Sequence, residues 1–364
     1  MIVFLIIIAA VLLAVYLFMQ QLKFGSIASS DRLRKIEQSP QYKEGKFKNQ
    51  SNTPDLTEGT SYFAVLNEFL FKKKERKKPA QLLPSVKTNL LQLNKEENVW
   101  VWMGHSSYFM QIDGKTILVD PVLSGAASPL SFTTKSFPGS DIYTTDDIPT
   151  IDFLFISHDH WDHLDYDTIK KLQPKIKTII TGLGTGAHLE SWGFKKEIII
   201  EKDWNESEIL ADGFSVTVTP ARHFSGRGFT RNKALWVSFV LQTPAHKIYL
   251  GGDSGYDTHF ATIGNKYGPF DLAILECGQY DKSWKYIHMM PEEVVQAAKE
   301  LNTKKLLAVH WGKFALANHA WDEPAKRVYK AAQEKQMNLL TPMIGEKLNI
   351  DGEQQFSKWW EVIG

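Results

Sequence analysis

Ile151–Leu164 reads IDFLFISHDHWDHL, and its two halves ask for different structures. Ile151–Ser157 is a short, almost unbroken apolar run, the pattern of a strand covered on both faces. His158–His163 then reads H-x-H-x-D-H, and Asp165 follows as a candidate N-cap for a helix through Tyr166–Gln173. Three imidazoles and a carboxylate thus sit on a tight loop at the C-terminal end of a buried strand, where open α/β sheets place their ligands. Imidazole nitrogen and carboxylate oxygen are the donors that divalent transition metals such as zinc favour. His158 and His160 alternate along one side of the loop, while Asp162 and His163 follow and can turn toward a second ion. So dense a set of donors argues against a merely polar loop.

Outward from this loop, other apolar runs also end on a ligand-type residue. Ser215–Pro220 leads into Ala221-Arg222-His223, Lys247–Leu250 into Gly251-Gly252-Asp253, and Leu306–Val309 into His310-Trp311-Gly312. The paired glycines permit a tight turn that presents Asp253. Any one of these alone reads as a core histidine or a turn aspartate. Their common position at strand ends, shared with His158, is what joins them.

From Val99 onward the chain alternates short strands and turns. Val99–Met103, Ser107–Ile112 and Thr116–Val119 read as a β-meander with Asp113-Gly114 as a hairpin turn. Further strands are predicted at Lys177–Thr181, Glu197–Glu201, Phe214–Pro220, Ala234–Gln242, Lys247–Gly251, Leu272–Glu276 and Lys305–Val309. Helices fit Asp165–Gln173, Glu292–Leu301 and Pro324–Lys335. This alternation predicts two sheets packed together and covered by helices, an α/β protein of the α+β type.

The order H-x-H-x-D-H, His, Asp, His along these strand ends resembles the metallo-β-lactamase-fold hydrolases. The resemblance implies an αββα sandwich with a dinuclear metal site between its sheets. It implies that His158, His160 and His223 hold one ion, that Asp162, His163 and His310 hold the other, and that Asp253 bridges them. The implied cofactor is a pair of divalent ions, Zn2+ or alternatively Mn2+. Asp120, in Leu118-Val119-Asp120-Pro121, matches the family's first motif and is expected to orient the site. Longer stretches narrow the match. WMGHSSYFMQIDGKTILVDPVLSGAASP, GPFDLAILECGQYD, IHMMPEEVVQAA and AVHWGKFALANHAWDEP are similar to the N-acyl-phosphatidylethanolamine-hydrolysing phospholipases D and their bacterial relatives. Ser39–Asn49 is similar to the N-terminal arm of those bacterial proteins. Those phospholipases carry an apolar, glycine-containing stretch where this chain has Glu276-Cys277-Gly278-Gln279, which leaves the polarity of the pocket open.

The chain of 364 residues divides into a membrane-type segment (1–22), a polar linker and arm (23–95), a hydrolase domain (96–350) and a tail (351–364). Ile2–Phe18 is almost entirely aliphatic and aromatic, and no charge precedes Lys23, which approaches the ~20 residues a span requires. The run is longer than a signal's apolar core and lacks a basic start, so an uncleaved transmembrane anchor is favoured over a signal cut near Ala28. Lys23, Arg32, Arg34 and Lys35 then place the domain on the cytoplasmic face by the positive-inside rule. Tyr62, Phe63, Leu66, Phe69 and Leu70 recur at helical spacing before the basic run Lys72–Lys78, a stripe suited either to an anionic bilayer or to packing on the domain. A net charge of +1 gives no overall drive toward nucleic acid, and a single cysteine, Cys277, excludes a cluster of thiolate ligands.

Among the remaining histidines, His288 precedes the helix Glu292–Leu301, and the matching family position lies beside the substrate phosphate. Asp162 and His288 are therefore assigned to catalysis, with His288 binding phosphate or protonating the leaving group. Arg222 and His319 are further candidates for substrate contact, while His105, His188, His246 and His259 read as structural. The resemblance implies a membrane-associated phosphodiesterase that converts N-acyl-phosphatidylethanolamine to phosphatidic acid and an N-acylethanolamine. Paired ions supply such an enzyme with hydroxide near neutral pH. A sugar-phosphate lactonase type and a ribonuclease of the same superfamily are the alternatives. The expected partners are the phospholipid and the membrane, with no nucleic acid, and monomer or homodimer left open.

Overall fold

The structure is a computed structural model that describes residues 1–71, 75–211 and 213–363; the side chains of Phe69 and Leu70 also lie outside the description. Lys72, Lys73 and Lys74 of the basic run fall outside it as well. The N-terminal part contains α1 (Ile2–Met19), α2 (Ser30–Glu37), a small hairpin of β1 (Tyr42–Lys43) and β2 (Lys46–Phe47), and α3 (Tyr62–Phe71). The first half of the domain runs β3 (Val99–Trp102), β4 (Tyr108–Ile112), β5 (Lys115–Val119), β6 (Ile151–Ile156), α4 (Tyr166–Leu172), β7 (Ile176–Gly182), α5 (Gly186–Ser191) and β8 (Ile199–Lys202). The second half begins β9 (Ser207–Ala211), β10 (Phe214–Pro220), β11 (Val237–Gln242), β12 (Lys247–Leu250), α6 (His259–Tyr267) and β13 (Phe270–Glu276). It ends α7 (Pro291–Glu300), β14 (Thr303–Val309), α8 (Glu323–Glu334), β15 (Leu339–Leu340) and β16 (Lys347–Asn349).

Two seven-stranded sheets result, ordered β16-β3-β4-β5-β6-β7-β8 and β15-β14-β13-β12-β11-β10-β9. In each, the strands followed by crossover helices pair in parallel and the meander strands pair antiparallel. Phe153 and Phe155 of β6 enter the core between the sheets, while Leu154 and Ile156 face the outer layer with Ile169 and Leu172 of α4. Both faces of β6 are thus apolar because both are covered, which is the αββα arrangement. On the far side, Val294 and Ala298 of α7 and Val328 and Ala332 of α8 cover β13 and β14. The β4–β5 turn is made by Asp113 and Gly114, at φ 45° and 74°, the paired positive values of a type I′ hairpin.

Sequence pattern missed the short or polar elements: α2, β1, β2, α5, α6, β9, β15 and β16. Glu197 and Ile198 belong to a 3-10 turn, so the strand expected at Glu197–Glu201 begins only at Ile199. The tail is integral to the core, because Trp359 stacks on Trp311 at 5.1 Å and 9°, and Trp359, Trp360 and Ile363 are buried. The arm is also packed: Ile36 and Phe47 are buried, and Lys233 donates to the Gly45 carbonyl. By contrast α1 has no buried residue, and α3 leaves Phe63, Leu66 and Phe71 exposed rather than turned onto the domain.

Candidate metal centre

The strand ends converge. At the C-terminal end of β6, His158 Nε2 lies 2.9 Å from His160 Nδ1, and His223, beyond β10, brings its Nε2 within 3.2 Å of the same His160 atom. These three imidazoles form one compact donor set. Beside it, Asp162, His163 and His310 form another, together with His105. Asp253 stands between the two. Its Oδ2 is 3.1 Å from both His163 Nε2 and His310 Nε2, 3.7 Å from His223 Nε2 and 3.9 Å from His158 Nε2.

This donor chemistry fits two divalent ions. Asp253 Oδ1 is buried with no hydrogen-bond partner among the described residues, a costly state unless another species takes its lone pairs. The electrostatics agree. Burial pushes His160 down to about 4 and holds His158 and His223 well below the ordinary histidine value, so these imidazoles are neutral and able to act as ligands. At His163 and His310 the same burial is overcome by Asp253 and Asp162, which hold protons there that cations would displace. Burial opposes ionisation of Asp162 and Asp253 too, yet the facing imidazoles, His163 foremost, keep both carboxylates charged.

The supporting layer explains how these rings are held. Asp120 accepts from Ser157 N at 2.8 Å, from Ser157 Oγ at 2.6 Å and from His163 Nδ1 at 2.8 Å, which leaves His163 Nε2 for the metal. His223 Nδ1 donates to the Ile287 carbonyl at 2.9 Å. Gly251 and Gly252 aim Asp253 for a reason other than turn geometry: neither has positive φ, but a Cβ on either would come within 2.6 Å of a carbonyl, Ile274 O or Val237 O. The need is close approach of backbones.

Several supports were not legible in the sequence. His105 Nε2 sits 2.9 Å from Asp162 Oδ2, and its ring packs at a tilt against His310 at 4.2 Å, so it orients Asp162. His105 and His310 both have positive φ (53° and 70°), and His310 N donates to the His105 carbonyl at 2.9 Å. Asn49 of the arm brackets His223, donating Nδ2–H to its carbonyl at 2.8 Å and accepting its N–H at 3.1 Å. Arg227, 4% exposed, lies 3.9 Å over Trp161 and donates to the Asp159 and Leu164 carbonyls, clamping both ends of the metal loop. Its other donors reach the Lys23 carbonyl just beyond α1. If Asp120 acts through His163, Asp120→Asn should lower metal affinity by about 10–100-fold with the fold intact, measured by chelator competition.

Two substrate assignments need correction. Arg222 does not face the pocket with a free fork: its guanidinium donates to Thr53 Oγ1, Asn52 O and Tyr256 O and lies over Tyr286. It pins the arm to the domain. His319 is likewise spent on structure, accepting from Gln279 N at 2.8 Å and stacking on Tyr280. His288 does line the pocket, its ring stacked on His310 at 5.1 Å and 5.0 Å from His223. The cavity above this cluster holds about 290 Å³ and has walls of Leu56, Tyr62, Phe224, Trp284, Ile287 and Leu316, with the ion pair of Asp55 and Arg231 on one side. Gln279 reaches it too, but its amide is engaged by the His310 and Phe314 carbonyls and the Leu316 and Ala317 amides.

Residues 115–311 match the Beta-lactamase superfamily domain. An uncharacterized protein of Mycobacterium tuberculosis is 36% identical over 330 residues, which cover 90% of this chain and 88% of that protein. N-acyl-phosphatidylethanolamine-hydrolyzing phospholipase D 1 of Caenorhabditis elegans is 32% identical over 228 residues, covering 59% of this chain and 64% of the worm protein. Among solved structures, Igni18, a metallo hydrolase from Ignicoccus hospitalis, superposes with a TM-score of 0.56 at 20% identity over 70% of this chain and 99% of its own. With the αββα fold and the paired His/Asp donor sets already described, these matches make this chain a metal-dependent hydrolase of the metallo-β-lactamase superfamily.

Proposed function

We propose that the protein is a membrane-anchored phosphodiesterase of the phospholipase D type, acting on an N-acylated phospholipid such as N-acyl-phosphatidylethanolamine. The observation that carries this reading is an apolar-walled cavity directly above the metal ligands, where an amphiphile can lay its chains against Leu56, Phe224 and Leu316 with its phosphate at the floor. Support also comes from the worm phospholipase's similarity over this domain. When bound, the ions, zinc in our reading, supply a Lewis acid for the phosphate oxygens and a low-pKa water. The chain's own residues do the rest. His158, His160, His223, Asp162, His163, His310 and Asp253 would hold that pair, the apolar side chains offer a surface for acyl chains, and His288 stands over the floor to hold phosphate or deliver a proton. The test is turnover of N-acyl-phosphatidylethanolamine, a soluble phosphodiester and a lactone by purified protein, with and without chelator. Activity confined to the lactone overturns the proposal.

Our reading of membrane attachment is supported by α1, whose 18 residues have mean hydropathy 3.2 and no burial, a length and composition able to span. The exposed Phe63, Leu66 and Phe71 of α3 suit the same surface, and Tyr62 at the start of that helix lines the cavity mouth. Deleting residues 1–20 should release the protein from membranes while metal content and turnover of a soluble phosphodiester persist. The cut must stop short of Leu22 and Lys23, because the Leu22 carbonyl accepts from Trp192 Nε1 at 2.6 Å and Lys23 O from Arg227. Fractionation with metal analysis checks both halves. A truncated protein still wholly membrane-bound would move the attachment to α3 and the basic run after it.

A further inference from the structure

Glu276 ends β13 behind the metal ligands and is 1% exposed. A buried carboxylate is expensive unless something compensates it, and no lysine or arginine lies within ion-pair distance among the described residues. Oε2 accepts from Gly278 N at 3.3 Å, and its remaining neighbours are two stacked imidazoles. Oε2 is 3.7 Å from His288 Nδ1 and 3.6 Å from His310 Nδ1. The two rings differ in need: His310 Nδ1 also faces the Gly278 carbonyl at 3.3 Å, whereas His288 Nδ1 is buried with no hydrogen-bond partner. The other oxygen, Oε1, accepts from Met289 N at 2.6 Å, one residue beyond His288. Glu276 therefore faces the His288 ring and grips the backbone beside it.

We propose that Glu276 is the positioning residue for His288, holding the ring with Nδ1–H toward the carboxylate and Nε2 toward the substrate. The inference rests on the phosphodiesterase reading above. In that hydrolysis the water oxygen forms a bond to phosphorus, the bond from phosphorus to the leaving oxygen breaks, and its electron pair stays on that oxygen. The proton on His288 Nε2 moves to the leaving oxygen to give a neutral alcohol, and the proton shed by the water returns the imidazole to its starting state. The ring keeps its remaining proton on Nδ1 throughout, facing Glu276. Such a donor matters for an alkyl alcohol, which leaves poorly as an alkoxide, and hardly at all for nitrophenolate.

The test uses full-length wild type, E276Q, H288A and the double variant on two phosphodiesters, one releasing p-nitrophenol and one releasing an N-acylethanolamine. E276Q should lose roughly 10–100-fold in kcat on the alkyl ester, part of the ~10²–10⁴-fold a donor supplies, and under about threefold on the nitrophenyl ester. Two metals per chain and an unchanged KM should accompany this. In the H288A background E276Q should cost nothing further, since a positioning residue has no effect once the ring is gone. Equal losses on both esters, or loss of metal, would overturn the proposal and give Glu276 to His310 and the ions; no loss on either would overturn it outright. If wild type cleaves neither ester, the phosphodiesterase reading fails first and this role goes with it.

Discussion

Asp253→Ala should empty the metal centre of both ions at once. Asp253 Oδ2 lies within 3.1–3.9 Å of four imidazole nitrogens drawn from both donor sets, and the side chain is 2% exposed. Its removal deletes a ligand from each set and withdraws the negative charge that offsets two buried cations. His223→Ala should behave differently. His223 stands in the set with His158 and His160, whereas His310 belongs to the other, so one ion should weaken and the other persist. Because a metal's Lewis-acid contribution is worth several kcal/mol, Asp253→Ala should lower kcat/KM by about 10³-fold or more, at roughly 1.4 kcal/mol per tenfold. Metal analysis of wild type and the two variants, loaded identically, checks it. Retention of two ions by the Asp253 variant would show that the carboxylate is not shared.

The His/Asp cluster was legible because its members follow strand ends. A buried strand announces itself by its apolar run, and a histidine or aspartate just after it has few other reasons to stand there; His158, His223, Asp253 and His310 were all found this way. Residues that act on the ligands have no such signature. His105 orients Asp162 from a loop after β3, and its role depends on a positive-φ turn that no periodicity marks. Asn49 reaches His223 from a polar arm far away in sequence. Arg222 and His319 show the reverse error: a polar side chain next to a ligand, or near one in sequence, was read as substrate-facing, whereas the folded chain spends both on its own backbone. Proximity along the chain says little about which way a side chain points. The missed elements have a similar cause. The sequence of α6 mixes polar residues and glycine among Phe260 and Ile263, and β9 exposes Ile209, so neither carries a clean period. The tail's Trp359 and Trp360 were the available clue that it packs, since large aromatics rarely remain in solvent.

His288→Ala should separate chemistry from metal binding. The ring lies among the ligands, 5.0 Å from His223 and 5.1 Å from His310, so its place alone admits either role. Three facts favour the substrate. It comes from the loop before α7 rather than from a strand end, it lines the cavity above the metal floor, and Glu276 faces its Nδ1. A ring nitrogen of His288 also falls within reach of His223 and Asp253 and of Glu276 and His310, groups that could themselves hold an ion, so metal content is the measurement that decides. A donor beside the transferring oxygens contributes about 10²–10⁴-fold, roughly 3–5 kcal/mol of transition-state stabilisation, and kcat should fall by that range with two ions still bound. A metal ligand would lose ion and rate together, and a loop residue would change neither. Metal content and kcat from one preparation distinguish the three, and turnover near that of wild type would remove His288 from the chemistry and leave the paired ions to carry the leaving group unaided.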